Sequence, residues 1–185
     1  MDEPSDEELM RRVAGGDERA FHMLARRCVP PSIGLARRIL ANAADAEEVV
    51  QEAMLRVWTH APRWRPEARF RTWLYRVVVN LCLNRKRRAP FASLADAGDL
   101  ADPHPDAAAQ LESDQRDRAV AEAIARLPER QRAAIVLTFH EGLSNAEAAA
   151  VLGASRSAVE TLLVRAKRSL RRQLGSIAID DASGE

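Results

Sequence analysis

Residues 144–163 read Ser-Asn-Ala-Glu-Ala-Ala-Ala-Val-Leu-Gly-Ala-Ser-Arg-Ser-Ala-Val-Glu-Thr-Leu-Leu, and this stretch decides the fold of the C-terminal part of the chain. Ser144 followed by Glu147 is a capping box, which predicts the start of a short helix. Gly153 predicts its end, and Ser155 predicts the cap of a longer helix. Two helices joined by such a turn are typical of a helix-turn-helix. The apolar positions that this pair needs for packing are Ala148, Ala149, Leu152, Val159, Leu162 and Leu163.

The rest of the chain also shows helical spacing of apolar residues, without the alternating pattern of a strand. Two helices, capped by Ser5 and Asp17, are predicted before Pro30-Pro31. The two prolines predict a break before a third helix at about 32–40. Asp45 with Glu48 has the spacing of a capping pair and predicts the start of a fourth helix. Ala61-Pro62 predicts the end of that helix.

A change in composition divides the chain into two parts. A long helix is predicted from about Phe70 to Arg88, and the following segment is rich in alanine, aspartate and proline. Such a composition predicts a flexible linker. Helices resume near Gln115, and the last is expected to end near Leu174. We therefore expect an all-α fold, with two small helical domains joined by the linker and a helix-turn-helix in the second. The expected boundaries are 5–88, 89–114 for the linker, 115–175, and 176–185 for an acidic tail.

The net charge of +1 conceals a strong segregation of charge along the chain. Residues 56–88 hold ten basic side chains and one acid, and residues 156–172 hold six basic side chains and one acid. Acids outnumber bases in residues 1–18 and 89–118. Clustered arginine and lysine can neutralise several phosphates. The two basic segments therefore favour two nucleic-acid-binding surfaces over the alternative of solvated helix faces.

Aromatic residues are concentrated in the first basic segment, at Trp58, Trp64, Phe70, Trp73 and Tyr75. Aromatic faces stack on unpaired bases while arginines hold the backbone, so the mixture favours single-stranded nucleic acid. The alternative is that these side chains belong to the core, and we expect this for Trp58 and Phe70. Trp64 lies in a proline-flanked loop at 61–69 and is harder to assign to a core.

Two pairs of motifs carry a family resemblance. Residues 45–58 (Asp-Ala-Glu-Glu-Val-Val-Gln-Glu-Ala-Met-Leu-Arg-Val-Trp) and 70–80 (Phe-Arg-Thr-Trp-Leu-Tyr-Arg-Val-Val-Val-Asn) resemble the promoter-melting region of bacterial sigma factors. Residues 127–132 (Leu-Pro-Glu-Arg-Gln-Arg) and 141–168 resemble the region that binds the upstream promoter element. The short chain and direct linker resemble the extracytoplasmic-function (ECF) group of the sigma-70 family, and the resemblance covers about 5–175.

The resemblance implies a non-catalytic subunit of the bacterial cytoplasm that recruits core RNA polymerase, through its beta-prime and beta subunits, to promoter DNA. It also implies an anti-sigma factor as a partner, and no membrane insertion. The helix with Asp45, Glu48, Gln51 and Glu52 would dock on the core polymerase. The residues implied at the −10 element, on the non-template strand, are Arg63, Trp64, Trp73, Arg76, Asn80, Arg85, Lys86, Arg87 and Arg88.

The last helix would enter the major groove at the −35 element, with its N-terminal residues nearest the bases. The residues implied there are Ser155, Arg156, Ser157, Glu160, Thr161, Arg165, Lys167 and Arg168. The sequence departs from the family at Glu160 and Leu162, where basic residues are common. Glutamate can accept from a cytosine amino group, so we expect an unusual −35 preference, and we expect Leu162 to pack. The acidic linker would mimic nucleic acid in the polymerase channels, with a simple tether as the alternative.

The sequence shows no catalytic or metal-binding constellation, and no cofactor is expected. The four histidines (His22, His60, His104 and His140) are scattered, and none lies at ligand spacing from a cysteine. Cys28 and Cys82 are expected to be buried small hydrophobic residues. No apolar run approaches the roughly 20 residues of a membrane span, and the acidic N-terminus is the opposite of a signal peptide.

Two other classes of protein fit the sequence less well. An ordinary helix-turn-helix regulator would use the C-terminal unit but leave the basic aromatic segment at 58–88 unexplained. A purely structural helical adaptor would explain neither basic segment. The two basic segments together therefore favour the sigma-factor interpretation.

Overall fold

The structure, a computed structural model, describes residues 3–65, 69–88 and 117–181. Every regular element in these ranges is helical, which agrees with the all-α prediction. The predicted linker at 89–114, part of the loop at 61–69 and the end of the acidic tail lie outside the described residues. None of the described helices is long and apolar enough to cross a membrane.

The N-terminal unit contains four α-helices: α1 (Asp6–Ala14), α2 (Glu18–Leu40), α3 (Ala43–His60) and α4 (Phe70–Arg88). A 3₁₀ turn, Ala61–Arg63, follows α3. The side chains of Ser5 and Asp17 cap α1 and α2 by accepting from backbone N–H groups, as their positions predict. The apolar faces of the helices meet in a core whose largest members include Tyr75, Phe70, Leu9, Met10 and Leu24.

The C-terminal unit contains the predicted helix-turn-helix. Residues 117–125 form α5, α6 (Glu129–Ile135) continues into a π-helical turn (Val136–His140), and α7 (Asn145–Leu152) and α8 (Arg156–Asp181) follow. Ser144 and Glu147 form the predicted capping box. Gly153 has a φ of +58°, the left-handed conformation that favours glycine, and Ser155 caps α8 by accepting from the Ala158 N–H.

The expected break at Pro30-Pro31 is wrong, because α2 runs through both prolines. Two prolines remove two backbone donors from the helix ladder, which usually ends or kinks a helix. The buried face of α2 nevertheless continues from Leu24 through Ser32 to Leu35 on both sides of the prolines. Packing against the other helices therefore keeps the helix continuous against its local propensity.

Two helix ends also differ from the sequence-based expectation. Asn42, rather than the Asp45 and Glu48 pair, caps α3, and its side chain accepts from the Asp45 N–H. The carboxylates of Asp45 and Glu48 are instead bound by Arg85 on α4. At the other end of the chain, α8 extends past the expected end near Leu174 to Asp181.

The two units touch each other in this structure. The helix α4 packs against α7, and the end of α2 lies against α6 and the π-helical turn. Buried apolar residues of both units belong to one continuous cluster.

Candidate nucleic-acid interfaces

The open face of α4 carries three residues predicted at the −10 element. Trp73, Arg76 and Asn80 follow one another at spacings of three and four residues, so they lie on one side of the helix. Arg76 and Asn80 are exposed, and Trp73 is half-buried. The opposite side of α4 is anchored in the core through Leu74 and Val78. The fold therefore brings these predicted residues together on one outward surface.

A pocket of about 290 Å³ lies between the end of α3 and this face of α4. Its walls are Arg56, Thr59, His60, Trp73 and Val77. The rings of His60 and Trp73 are nearly parallel, with 5.6 Å between their centroids and 17° between their planes. Aromatic walls beside hydroxyl and guanidinium groups can receive a flat base and hydrogen-bond its edge. Sequence analysis missed Arg56, Thr59 and His60, because only the fold places the end of α3 beside α4.

Trp64 lies against the core, beside the face of α4 that carries Trp73. Its ring meets the wholly buried Phe70 edge to face, with 6.2 Å between centroids. The prediction that Phe70 belongs to the core is therefore confirmed. The same prediction for Trp58 is wrong, since Trp58 is 37% exposed and packs edge to face on Phe21. Arg63 is exposed at the end of the 3₁₀ turn.

The start of α4 is held by a residue from α1. The Phe70 N–H donates to Oε1 of Glu7 across 2.9 Å, although the two residues are 63 positions apart. The first turn of α4 has no acidic residue of its own, so Glu7 supplies the carboxylate that the N-terminal end of a helix favours. Glu7 thereby fixes the point at which the loop at 61–69 becomes the helix that carries Trp73.

The four residues predicted to bind core polymerase lie together on α3, but three of them already have a partner. Arg85 binds the carboxylates of Asp45 and Glu48, each at 2.7 Å. The hydrogen bonds to Glu48 and then Asp45 raise the pKa of Arg85, against the effect of burial. Glu52 pairs with Arg56 at 2.6 Å, and Gln51 is exposed.

Arg85 was also predicted at the −10 element, on the non-template strand, and in this structure its guanidinium is held by acids. An arginine paired with two carboxylates must exchange those partners before it can bind a phosphate. The side chains of the other three basic residues predicted here, Lys86, Arg87 and Arg88, lie outside the described residues.

All eight residues predicted at the −35 element are exposed, seven of them on α8 and Ser155 at its cap. Arg156 and Glu160 form an ion pair at 3.0 Å through Oε1 of the glutamate, which leaves Oε2 as an acceptor for a base. The ammonium group of Lys167 lies over the ring of Phe139, 4.8 Å from its centroid. Leu162 is half-buried and packs against the core, as expected.

The remaining sequence-based expectations concern metals and cysteines. Within the described part of the chain, no group of three or more histidine, cysteine, aspartate or glutamate side chains is arranged to hold a metal ion. Cys28 and Cys82 are buried, as predicted. Burial raises the pKa of the Cys28 thiol to about 12, which leaves it unreactive near neutral pH.

Comparison with known proteins gives the family. The family model for Sigma-70 region 2 matches residues 24–90, and that for Sigma-70 region 4 matches residues 117–170. The ECF RNA polymerase sigma factor SigM of Mycobacterium tuberculosis is 39% identical over 176 residues, which cover 94% of this chain and 86% of SigM. The chain belongs to the ECF group of sigma factors. The pocket between α3 and α4 lies in its region 2, and α8 lies in its region 4.

Two solved structures share the fold of this ECF sigma factor. CnrH, solved in complex with the cytosolic domain of CnrY, is 31% identical, with a TM-score of 0.70 over 94% of this chain and 99% of CnrH. The sigma factor RpoE of Bartonella quintana, solved with the anti-sigma factor NepR, is 21% identical, with a TM-score of 0.62 over 84% of this chain and 96% of RpoE. The second likeness concerns the fold alone.

Proposed function

We propose that this protein is a non-catalytic specificity subunit that binds core RNA polymerase and directs it to promoters with distinct −35 and −10 elements. The observation that carries the proposal is the presence of two unlike surfaces in one chain. Region 2 offers a pocket with aromatic walls, and region 4 offers an exposed basic helix. The first suits an unpaired base, and the second suits the major groove of a duplex.

At the −10 element, an unpaired base would enter the pocket beside Trp73. Extruding a base costs a few kcal/mol, and stacking on an aromatic side chain offsets about 1–3 kcal/mol of this cost. Thr59 and Arg56 supply polar groups at the pocket wall. Arg76 and Asn80 would contact the adjoining strand, and Arg63 would contact its phosphates. Trp64, half-buried beside Phe70, would also belong to this surface.

At the −35 element, the N-terminal turns of α8 would read the base edges while the basic residues further along bind phosphates. Arg156 and Glu160 would act as a pair, because each satisfies the other in the free chain. A G·C pair would replace both partners at once, because its cytosine amino group can donate to Glu160 and its guanine acceptors can receive from Arg156. This geometry supports the expected departure from the common −35 preference of the family.

The core-polymerase surface would include apolar residues as well as the predicted acids. Leu55 is 61% exposed and Trp58 is 37% exposed, and both follow Gln51 along one face of α3. An exposed apolar patch with an acidic rim favours a partner that is basic and partly apolar. Asp45, Glu48 and Glu52 would form that rim. We also propose that a regulatory protein binds this chain, by likeness to CnrH, which was solved in complex with the cytosolic domain of CnrY. The family resemblance implies that this regulator is an anti-sigma factor.

Transcription reconstituted in vitro tests the proposal. Purified full-length chain is added to core RNA polymerase as the only specificity subunit, with promoters selected from a random library. Initiation at a shared pair of elements is the expected result. A chain that binds duplex DNA but gives no promoter-specific initiation is an ordinary regulator and would overturn the proposal. Templates with a scrambled −10 element are the matched control, because they keep the −35 duplex site intact.

A further inference from the structure

The acidic segment at residues 3–8 belongs to neither predicted DNA-binding surface, and its polar groups are bound within the N-terminal unit. Arg27 of α2 donates to the Pro4 carbonyl at 2.6 Å and to Oε2 of Glu3 at 2.8 Å. It also lies 3.4 Å from Oδ1 of Asp6. The side chain of Glu3 is 86% exposed, whereas that of Arg27 is 30% exposed. The carbonyl and Asp6 therefore supply the stronger part of this contact, since an exposed ion pair contributes little.

The next residue of the segment, Glu7, carries this contact on to α4. Its Oε1 accepts from the Phe70 N–H at 2.9 Å. The first N–H groups of a helix have no partner within that helix, so this donor depends on α1. The helix α1 also packs against the 3₁₀ turn, in which Ala61 is 1% exposed, and against α4. It therefore holds the chain on both sides of the loop at 61–69.

The ring of Phe70 touches both tryptophans that are predicted at the −10 element. It meets Trp64 edge to face, with 6.2 Å between centroids, and lies 5.8 Å from the ring of Trp73 at a tilt of 40°. Phe70 is wholly buried, and a close-packed interior transmits a displacement to its neighbours. A shift of the Phe70 backbone would therefore move both rings.

The third tryptophan of the chain lies outside this set of contacts. Trp58 packs edge to face on Phe21 of α2, with 5.2 Å between centroids. It reports on the packing of α2 against α3, and a general loss of folding would disturb it together with Trp64 and Trp73. The three rings therefore distinguish a local change at the −10 surface from unfolding.

We infer that Arg27, Glu7 and Phe70 are positioning residues, which brace Trp64 and Trp73 for the −10 element without contacting DNA themselves. Arg27 fixes the acidic segment on α2, Glu7 fixes the first residue of α4, and the Phe70 ring fixes the two indoles. The consequence for DNA binding rests on the proposed function, whereas the arrangement of the two rings does not.

Fluorine NMR of the full-length chain labelled with fluorinated tryptophan tests the brace. The chain contains three tryptophans, and the loss of one signal in each Trp→Phe variant assigns them. Arg27→Met keeps an apolar stem but removes the donors. It should shift or broaden the signals of Trp64 and Trp73 and leave the signal of Trp58 unchanged.

The matched control is Arg37→Met, because Arg37 also lies on α2 and binds an acid, Glu47, at 2.9 Å. This variant should leave all three tryptophan signals in place. Arg27→Met would overturn the brace if it changed none of the signals, or if it changed all three alike.

Hydrogen exchange at the Phe70 amide tests the link through Glu7. Glu7→Ala should raise the exchange rate about 5-fold, the equilibrium equivalent of one lost helix cap. Glu7→Gln keeps an acceptor and should restore the slow rate. Arg27→Met should also raise the rate, because Arg27 acts through the segment that holds Glu7. An unchanged rate in Arg27→Met would overturn the link between Arg27 and α4.

DNA binding in the presence of core polymerase separates the brace from the proposed function. Arg27→Met should weaken binding to a single-stranded −10 oligonucleotide about 3- to 5-fold and leave binding to a −35 duplex unchanged. Tryptophan signals that move without a loss on the −10 strand would overturn the positioning role, as would equal losses on both DNAs. A parent chain that does not bind the −10 strand would overturn the proposed function, and the fluorine signals and amide exchange would still decide the brace.

Discussion

Region 2 and region 4 present their predicted DNA-binding residues in opposite ways. Region 2 sets Trp73 at the wall of a pocket of about 290 Å³, with Trp64 half-buried beside it. Region 4 sets its predicted residues on the exposed face of α8. An unpaired base offers two flat faces and is held best in a concave site, whereas paired bases offer only edges at the floor of a groove. The shape of each surface therefore indicates the form of DNA that it suits.

The cores of the two regions also differ, in the size of their buried side chains. Large side chains such as Tyr75, Phe70 and Leu24 fill the core of region 2. They support α4 from one side, while its other side lines the pocket between α3 and α4. In region 4 many buried positions are alanine, namely Ala123, Ala133, Ala134, Ala148, Ala149 and Ala166. Small residues bring helices close together but bury little apolar area. Region 4 is therefore expected to depend more heavily on its polar contacts.

The substitution Arg132→Met should reveal this dependence most strongly. It keeps an apolar stem but leaves three buried carbonyls, among them that of Ile39 in region 2, without their donor, so we expect a loss of about 2–4 kcal/mol in the free energy of unfolding. Urea denaturation of the full-length chain measures it. Arg130→Met is the matched control, since Arg130 is exposed and donates to one carbonyl, that of Leu152. Equal losses for the two variants would show that region 4 does not depend on the buried contacts of Arg132 more than on an exposed one.

Alkaline titration should open the boundary between the regions. Burial, and then the hydrogen bond to Glu141, raise the pKa of Tyr75 from 10 to about 12. A raised pKa means that the closed chain favours the protonated phenol. The Tyr75 contribution to stability is therefore complete below pH 10 and is lost as the pH rises from 10 through 12.

Ultraviolet absorbance of tyrosinate reports this titration without interference, because the sequence contains one tyrosine. We expect a midpoint near 12 in the parent chain and a midpoint nearer 10 in Glu141→Lys. A midpoint near 10 in the parent chain would mean that Tyr75 is open to solvent, and that the regions do not pack as described.

The substitutions Trp73→Ala and Arg168→Ala should separate the two surfaces. With the chain bound to core polymerase, Trp73→Ala should weaken binding to a single-stranded −10 oligonucleotide by about 10- to 100-fold, the value of one lost stacking contact. It should leave binding to a −35 duplex unchanged. Arg168→Ala should weaken duplex binding and reduce its salt slope by about 0.9, the value of one phosphate contact.

Fluorescence anisotropy over a range of salt concentrations measures the binding of both variants to the −10 oligonucleotide and to the −35 duplex. Asn80→Ala and Trp64→Ala should resemble Trp73→Ala, with a larger loss of open-complex formation than of duplex binding. Equal losses on the two DNAs for any of these variants would indicate one shared surface in place of two.

The smallest expected effect concerns Glu7, which lies before the residues matched by the region 2 family model. Glu7→Ala should lower stability by about 1 kcal/mol, as for a lost helix cap, and should lower open-complex formation more than −35 binding. Glu7→Gln retains an acceptor for the Phe70 N–H and should recover most of both. Failure of the glutamine variant to recover either would show that the charge of Glu7, rather than its hydrogen bond, supports α4.

Local signals predicted several elements correctly because their causes lie within a few residues. The capping box at Ser144 and Glu147 and the turn at Gly153 satisfy backbone groups of their own helix. The helix from Phe70 to Arg88 follows an apolar spacing that is visible in the sequence. Pro30-Pro31 misled the prediction, because proline lowers helix propensity locally while the buried face of α2 is a property of the assembled core.

The sequence by itself determined the all-helical fold, the helix-turn-helix and the segregation of charge into two basic segments, because each depends on spacing along one chain segment. Only the tertiary structure decided that Arg85 binds Asp45 and Glu48, that His60 and Thr59 join Trp73 in one pocket, and that Tyr75 meets Glu141 across the boundary between regions. These contacts join residues 13 to 66 positions apart. Side-chain pairing over such separations is set by how whole helices pack, which no local pattern encodes.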